Sequence, residues 1–455
     1  MRAASCLALL LLASATEPTP ALAQPVPLTL EESIEIGVRN ATLVLKSESD
    51  HRLAGKQVLQ GYGQFLPTLD VGASYGVTGG KTLYTLSSVS LVDQRALNTT
   101  LSVSSALNLF NGLSDWAGLK SALARDEASL SSLDWARQQV ALDITQSFLQ
   151  VVLDRQLLEI AVKNLQASRA RLELFEGRAS VGSASPADLY RQRAQTSADE
   201  LFTRSYEARL NDDQALLVRK LRVDPAKEYS VAEPSMKPAP PKAAQASLEL
   251  AIQTALSNRA DVRSFASRAE ASDWDVRRAK GGYLPKLDLN FVWLQAGRQL
   301  TRQIVNGQNM LPPDQPSTFS QLGSQPTYAV TLGLSWNLFD RFLTTLDVAR
   351  TQNALDYAKI DSDDARLQVV ADVKIAHSEY RIAERQIQTA RVGVEAAQKA
   401  YDAITGRYRV GSASFIDVLA SQATLVQAQS SQAQAMINLK LRERALEYAV
   451  GELRY

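Results

Sequence analysis

From Pro67 onward the chain alternates between apolar and small polar residues. Leu69, Val71, Ala73, Tyr75 and Val77 hold one parity; Thr68, Asp70, Gly72, Ser74, Gly76 and Thr78 hold the other. A period of two places one set on each face of a strand, one greasy and one wet. The same alternation returns at Leu101, Val103, Leu107 and Leu109, at Leu287, Leu289, Phe291 and Trp293, and from Tyr328 through Val330, Leu332 and Leu334 to Trp336 and Leu338. It predicts four strands, over about 66–79, 98–110, 285–296 and 327–339, each close to the ~10 residues that a tilted strand needs to cross a bilayer. Aromatic residues gather where these runs approach helical sequence, at Phe65, Phe110, Tyr283, Trp336 and Phe339, as an interfacial belt would. A sheet of a soluble β-sandwich alternates in the same way, so the pattern alone leaves both readings open.

The helical signal is longer than a globular protein needs. No Gly or Pro occurs from Leu119 to Glu176 or from Arg341 to Val392, stretches of 58 and 52 residues. At ~1.5 Å per residue these predict helices of about 80–90 Å. Leu158, Ala161, Leu165, Ser168, Leu172, Phe175 and Ala179 step alternately by three and four, which is a heptad seam. Ile387, Ala390, Val394, Ala397, Tyr401, Ile404 and Tyr408 form the matching seam later in the chain.

That match is part of a whole-chain duplication. QFLPTLDV (Gln64–Val71) recurs 218 residues later as GYLPKLDL (Gly282–Leu289), while NLFN (Asn108–Asn111) recurs 229 residues later as NLFD (Asn337–Asp340). The second copy therefore holds 11 extra residues between these motifs, which the long loop near Leu300–Pro326 accommodates. We divide the chain into a first repeat at 24–222, a Pro-, Ala- and Lys-rich linker at 223–246 and a second repeat at 247–455.

Each seam runs directly into one short phrase, VGSASPADL at Val181 and VGSASFIDVL at Val410, with predicted turns at about 177–186 and 406–415. Gly182 and Gly411 suit the left-handed residue that ends an arriving helix. Ser185, followed by Pro186 and by Asp188 three residues on, reads as the N-cap of a departing helix, and Ser414 with Asp417 repeats that reading. Each phrase is thus a hairpin turn between two long helices, in which Asp188 and Asp417 have an ordinary capping role.

The N-terminus adds a destination. Met1-Arg2, the apolar run Cys6–Ala13 and the small-residue site Ala21-Leu22-Ala23 predict a secretory signal peptide over 1–23. Cys6, the only cysteine, precedes the apolar core rather than following it, contrary to a lipidated cysteine, and the mature chain then offers no disulfide or thiolate site. A formal net charge of +1 gives no reason to expect nucleic acid. GVTGGKT (Gly76–Thr82) departs from a phosphate loop because Tyr75 stands where the first Gly belongs, and His51 and His377 lack a second ligand at metal spacing. No catalytic constellation, cofactor or metal site is expected.

Four strands in a bilayer cannot end in open edges, so other copies must complete the sheet. Eight strands would be filled by their own side chains, whereas twelve leave a lumen, which favours three protomers over two.

The LPTLDV and LPKLDL strand starts, NLFN and WNLFD, the two VGSAS turns and the duplication together resemble the TolC-type outer-membrane efflux family over nearly all of residues 28–452. The resemblance implies a trimer whose 12-stranded β-barrel lies in the outer membrane, with an all-α coiled-coil tunnel in the periplasm. It implies export of cargo received from an inner-membrane transporter through a periplasmic adaptor, in efflux or type I secretion. Under it Val181, Gly182, Ser185, Val410, Gly411 and Ser414 fall at hairpin tips that dock the adaptor, and Asp188 and Asp417 at the periplasmic entrance. Some members carry an Arg and a further Asp where this chain has Ala413 and Ala420, which argues against a salt-bridge lock and a doubled acidic ring. The competing reading is a soluble periplasmic coiled-coil adaptor or scaffold, which would show one helical hairpin rather than two.

Overall fold

The computed structural model describes residues 26–85, 89–183, 185–227, 229–233, 241–324 and 326–453. The expected signal peptide, Ala184 of the first turn and residues 234–240 of the expected linker lie outside them. In chain order the elements are β1 (Val26–Leu28), α1 (Leu30–Asn40), α2 (Thr42–Gly63), β2 (Asp70–Thr85), β3 (Val89–Asn111), α3 (Ser114–Ser180), α4 (Pro186–Leu221), β4 (Tyr229–Val231), α5 (Lys242–Gln245), α6 (Leu248–Asn258), α7 (Ala260–Lys280), β5 (Lys286–Val305), β6 (Gln308–Asn309), α8 (Thr318–Gln321), β7 (Thr327–Ser335), α9 (Leu343–Arg409) and α10 (Phe415–Val450). They divide between two compact units, and the chain passes from one to the other within α2, α3, α6 and α9.

One unit, comprising 1–45, 137–254 and 372–455, holds both helical hairpins. Each pairs the end of a 67-residue helix (α3 or α9) with a 36-residue one (α4 or α10), so the duplication is metrical as well as sequential. The helices run through Gly177, Gly393 and Gly406, as the two seams do, because a single Gly costs only ~1 kcal/mol against long-range packing. Every position of both predicted seams is buried or half-buried. Ile144, Phe148 and Val152 of α3, Leu217 and Leu221 of α4, and Leu446 and Val450 of α10 are almost wholly buried. Close packing of α1 depends on Gly37, where an added Cβ would sit 1.9 Å from the Ile144 side chain. Thr29 and Glu32 close a reciprocal capping box on α1. Within the linker, β4 pairs in parallel with β1, Val26 opposite Tyr229 and Leu28 opposite Val231.

The other unit, 46–136 and 255–371, holds the sheet. Its order is β2-β3-β5-β7, antiparallel throughout, with short β6 also paired to β5. The hairpin of each repeat stays intact, and β3 against β5 joins the two. Register carries the alternation across all four strands: Val71, Val103, Trp293 and Tyr328 lie in one row, and Gly72, Ser102, Leu294 and Thr327 in the next. One face therefore collects Val71, Tyr75, Leu101, Val103, Leu289, Phe291, Val330 and Leu332. The other collects Gly72, Ser74, Thr100, Ser102, Asp288 and Asn290, with Val292 and Leu294 towards its middle. Among the described residues, the outer edges of β2 and β7 have no partner strand.

Three strands run farther than the alternation suggested, to 70–85, 89–111 and 286–305. Gly79-Gly80 looks like a strand end, but the ladder continues through Lys81 opposite Asp93 and Leu83 opposite Leu91, an opposite-charge pair and an apolar pair. The fourth stops early, at Ser335 rather than near 339. Trp336 leaves the ladder to donate its indole N–H to the Tyr283 carbonyl (3.1 Å), and Arg341 and Phe342 take positive φ of 57° and 66°.

Candidate functional site at the two hairpin turns

Both arriving helices end in the same way. Gly182 (φ 73°) donates to the Ala179 carbonyl and Ser183 to that of Arg178; Gly411 (φ 78°) donates to Tyr408 and Ser412 to Arg407. These paired bonds are a Schellman ending, which an L-residue at the Gly position would strain. The serine hydroxyls repeat the bonds, Ser183 to the Arg178 carbonyl (3.0 Å) and Ser412 to that of Arg407 (3.2 Å). The residue before each Gly is an isolated apolar side chain in solvent: Val181 is 77% and Val410 80% exposed.

The departing helices differ. Ser414 and Asp417 form a full capping box, with Asp417 N–H donating to Ser414 Oγ (3.2 Å) and Ser414 donating to Asp417 Oδ2 from its backbone (3.0 Å) and hydroxyl (2.8 Å). The Ser414 hydroxyl, then its N–H, holds the Asp417 carboxyl below its ordinary value although the group is exposed. Both bonds fall on Oδ2 of a carboxylate that faces solvent.

Ser185 occupies the N-cap position of α4 but makes no side-chain cap bond, contrary to the sequence expectation. The Asp188 N–H turns to the Ser185 carbonyl instead (3.1 Å), and its carboxylate pairs with Arg191 (3.2 Å). The first helical residue differs in the same way: Pro186 is exposed, whereas Phe415 is 4% exposed.

Phe415 anchors a cluster that joins the two turns. Its ring meets Phe175 of α3 edge-on (centroids 4.7 Å apart), and Val418, Leu189, Tyr401, Ile404, Tyr408 and Leu419 pack around them. Burial, and then the nearby Asp188 carboxylate, push the Tyr408 hydroxyl up from its ordinary pKa. The chain thus brings both turns to one place, with Val181, Gly182, Asp188, Val410, Gly411 and Asp417 at the surface around a small aromatic core. Sequence reasoning placed Phe175 on the seam and missed Phe415; its only signal was an aromatic at the first helical position, where the other turn has Pro. It also missed a groove of about 280 Å³ between α3, α4 and α10, lined by Ala161, Asn164, Phe202, Tyr206, Leu419 and Val426 among others.

Farther along the same hairpin, α3 buries Asp154 against α4, where Arg209 pairs with it at 2.9 Å and Gln150 donates to both oxygens. Burial and the neighbouring Asp213 carboxyl push Asp154 up to about 6, against the opposing pull of Gln150 and Arg209. No cluster of potential metal ligands occurs among the described residues, and no described helix is long and apolar enough to cross a membrane.

A sheet with one apolar and one largely polar face and two free edges, in a chain that also builds two long helical hairpins, defines a channel of the barrel-and-coiled-coil class. The comparisons agree. The outer membrane efflux protein family matches residues 38–219 and 251–452, and the chain belongs to that family. Among its relatives, the pyoverdine export outer membrane protein OpmQ of Pseudomonas putida is 28% identical over 352 residues, covering 74% of this chain and 67% of the relative. The outer membrane efflux protein BepC of Brucella suis is 22% identical over 427 residues, covering 93% and 86%. The fold is shared with the outer membrane protein VceC from Vibrio cholerae, at a TM-score of 0.77 and 16% identity over 93% of this chain and 96% of that one. It is also shared with the outer-membrane channel OprN, at a TM-score of 0.75 and 19% identity over 93% of this chain and 89% of that one.

Proposed function

We propose that the protein is the outer-membrane duct of a tripartite export system. Three chains would close a 12-stranded barrel in the membrane, with the helical hairpins in the periplasm. The observation that carries this reading is the sheet: its apolar face is continuous over four strands, and among the described residues β2 and β7 end it with unpaired edges. In a bilayer those edges require partners, and copies of the same sheet supply them edge to edge.

The hairpin turns are the end at which cargo and partners arrive. Val181 and Val410, exposed apolar side chains beside glycines with open space around them, fit docking of a periplasmic adaptor that connects to an inner-membrane transporter. Asp417, charged and solvent-facing, would be brought near its own copies by threefold symmetry and favour cations at the entrance. Asp188 is the second entrance carboxylate, partly neutralised by Arg191.

Fractionation and planar-bilayer recording test the reading. The expected result is a heat-modifiable trimer in the outer membrane whose cation preference falls in Asp417→Ala. Recovery in the soluble periplasm would overturn the duct, and unchanged conductance and selectivity in Asp417→Ala would remove that residue from the entrance.

A further inference from the structure

The β5 strand outruns its neighbour. β7 pairs with it only from Lys286 to Leu294, leaving the edge beyond Leu294 without a long strand. The loop that follows β5 covers this edge itself. Arg298 N–H donates to Gln321 Oε1 (3.0 Å), Gln321 Nε2 donates back to the Arg298 carbonyl (2.9 Å), and Leu300 N–H donates to Gln315 Oε1 (2.8 Å). Met310 N–H reaches the Gln303 carbonyl (2.9 Å), and β6 pairs with Ile304 and Val305. Two glutamine amides thus take the place of a strand, satisfying groups that would otherwise template association.

The side of the sheet on which this loop rests is fixed by three independent contacts. Thr99 donates to the Thr318 hydroxyl (2.7 Å) in a buried pair, the Tyr75 and Phe319 rings stack with centroids 5.7 Å apart, and a Cβ at Gly297 would fall 2.0 Å from the Thr318 carbonyl oxygen. Tyr75, Thr99 and Gly297 form one cross-strand row, on the face that carries Leu101, Val103, Phe291, Trp293 and Val330. Short α8 therefore sits on the apolar face. Gly297 is the position that lets its backbone approach.

The level of this row is informative too. Phe110 opposite Leu287 marks the aromatic end of the sheet near the helices, and Gly297 is ten residues farther along β5. At ~3.3 Å per residue and a barrel tilt of ~40°, ten residues rise about 25 Å, the height of an outer-membrane apolar band. Tyr75 and Phe319, 60% and 63% exposed, then lie where the second aromatic girdle belongs.

We infer that the segment Gln308–Gln321 is part of the membrane-facing collar rather than a lid over the lumen, with Phe319 set against lipid at the outer interface of the bilayer. This rests on the barrel reading proposed above. Because the mature chain has no cysteine of its own, Phe319→Cys, Val330→Cys and Ser102→Cys are each labelled with an environment-sensitive fluorophore. The mature protein is then reconstituted in nanodiscs containing brominated lipid. The collar predicts comparable quenching at positions 319 and 330 and little at 102, on the polar face. Quenching at 330 but not at 319 would overturn the collar and leave the barrel standing. No quenching at 330 would overturn both.

Discussion

The two hairpin turns share VGSAS and the same Schellman ending, yet one departing helix is capped by its serine and the other is not. The difference lies in the residue after the serine. Phe415 buries itself against Phe175 and Tyr408 and accompanies a closed Ser414–Asp417 box, while Pro186 stays exposed and Asp188 turns to Arg191. A duplicated sequence thus yields one turn built into the shared core and one that rests on it. The contrast continues along the hairpins. Asp154, with Arg209 and Asp213, stands 229 residues before Ala383, Asn438 and Arg442, and in the second hairpin Arg442 pairs with Glu379 at 2.6 Å while Ala383 is buried. The second copy replaces that pair with an Arg442–Glu379 bridge and buries a different carboxylate, Glu443 of α10, beside Lys440 at 2.8 Å.

The comparison breaks most readily at Phe415. Replacing it by Ala should destabilise the second turn by about 3–5 kcal/mol, seen as faster amide exchange over 401–420. Pro186→Ala should leave exchange over 177–192 nearly unchanged; equal effects would mean that the turns are equivalent.

A pH titration tests the buried carboxylate, with an effect on the order of 2 kcal/mol. Burial raises the folded-state pKa of Asp154 from 3.8 to about 6, so the native state holds the proton more tightly than the unfolded chain. The stabilisation is fully present below pH 3.8 and lost as pH rises through about 6. Exchange across α3 near Asp154 should therefore slow as pH is lowered from 7 to 5, after correction for intrinsic rates, and Asp154→Asn should flatten the change.

Gly182→Ala and Gly411→Ala should each cost about 1–2 kcal/mol, because both have positive φ and open space, so strain acts without any clash. Similar losses in local exchange protection at both turns are expected, and a large difference would show that the arriving ends are not alike.

Ser414→Ala should cost about 1 kcal/mol and Ser185→Ala close to nothing, since only the former hydroxyl caps. Thermal melts of the reconstituted protein compare them. The smallest effect is the acid sensitivity of the second turn. The Asp417 pKa is lowered, so its contribution is present above 3.8 and lost as pH falls through the folded value. Asp417→Asn should remove that loss, read by exchange at 411–418 below pH 4.

Much of this architecture is legible in the sequence. The alternation at Val71–Val77 and Tyr328–Leu334 identified strands because a pleated strand has a period of two whatever surrounds it. The seams at Leu158–Ala179 and Ile387–Tyr408 identified the packed helical faces in the same way. Strand ends were less legible: Gly79-Gly80 reads as a stop until Lys81 meets Asp93 across the ladder, and Trp336 reads as strand until it finds the Tyr283 carbonyl.

The sequence by itself determined the duplication, the two-faced strands, the long helices and the glycine-ended turns, since each is a local periodicity or a backbone preference carried by a few adjacent residues. Tertiary structure alone decided that Ser414 caps while Ser185 does not, that Asp154 is buried beside Asp213, and that the long loop lies on the apolar face of the sheet. Those outcomes depend on which donor, ring or carbonyl reaches a group from a distant part of the chain, and no run of neighbouring residues records that.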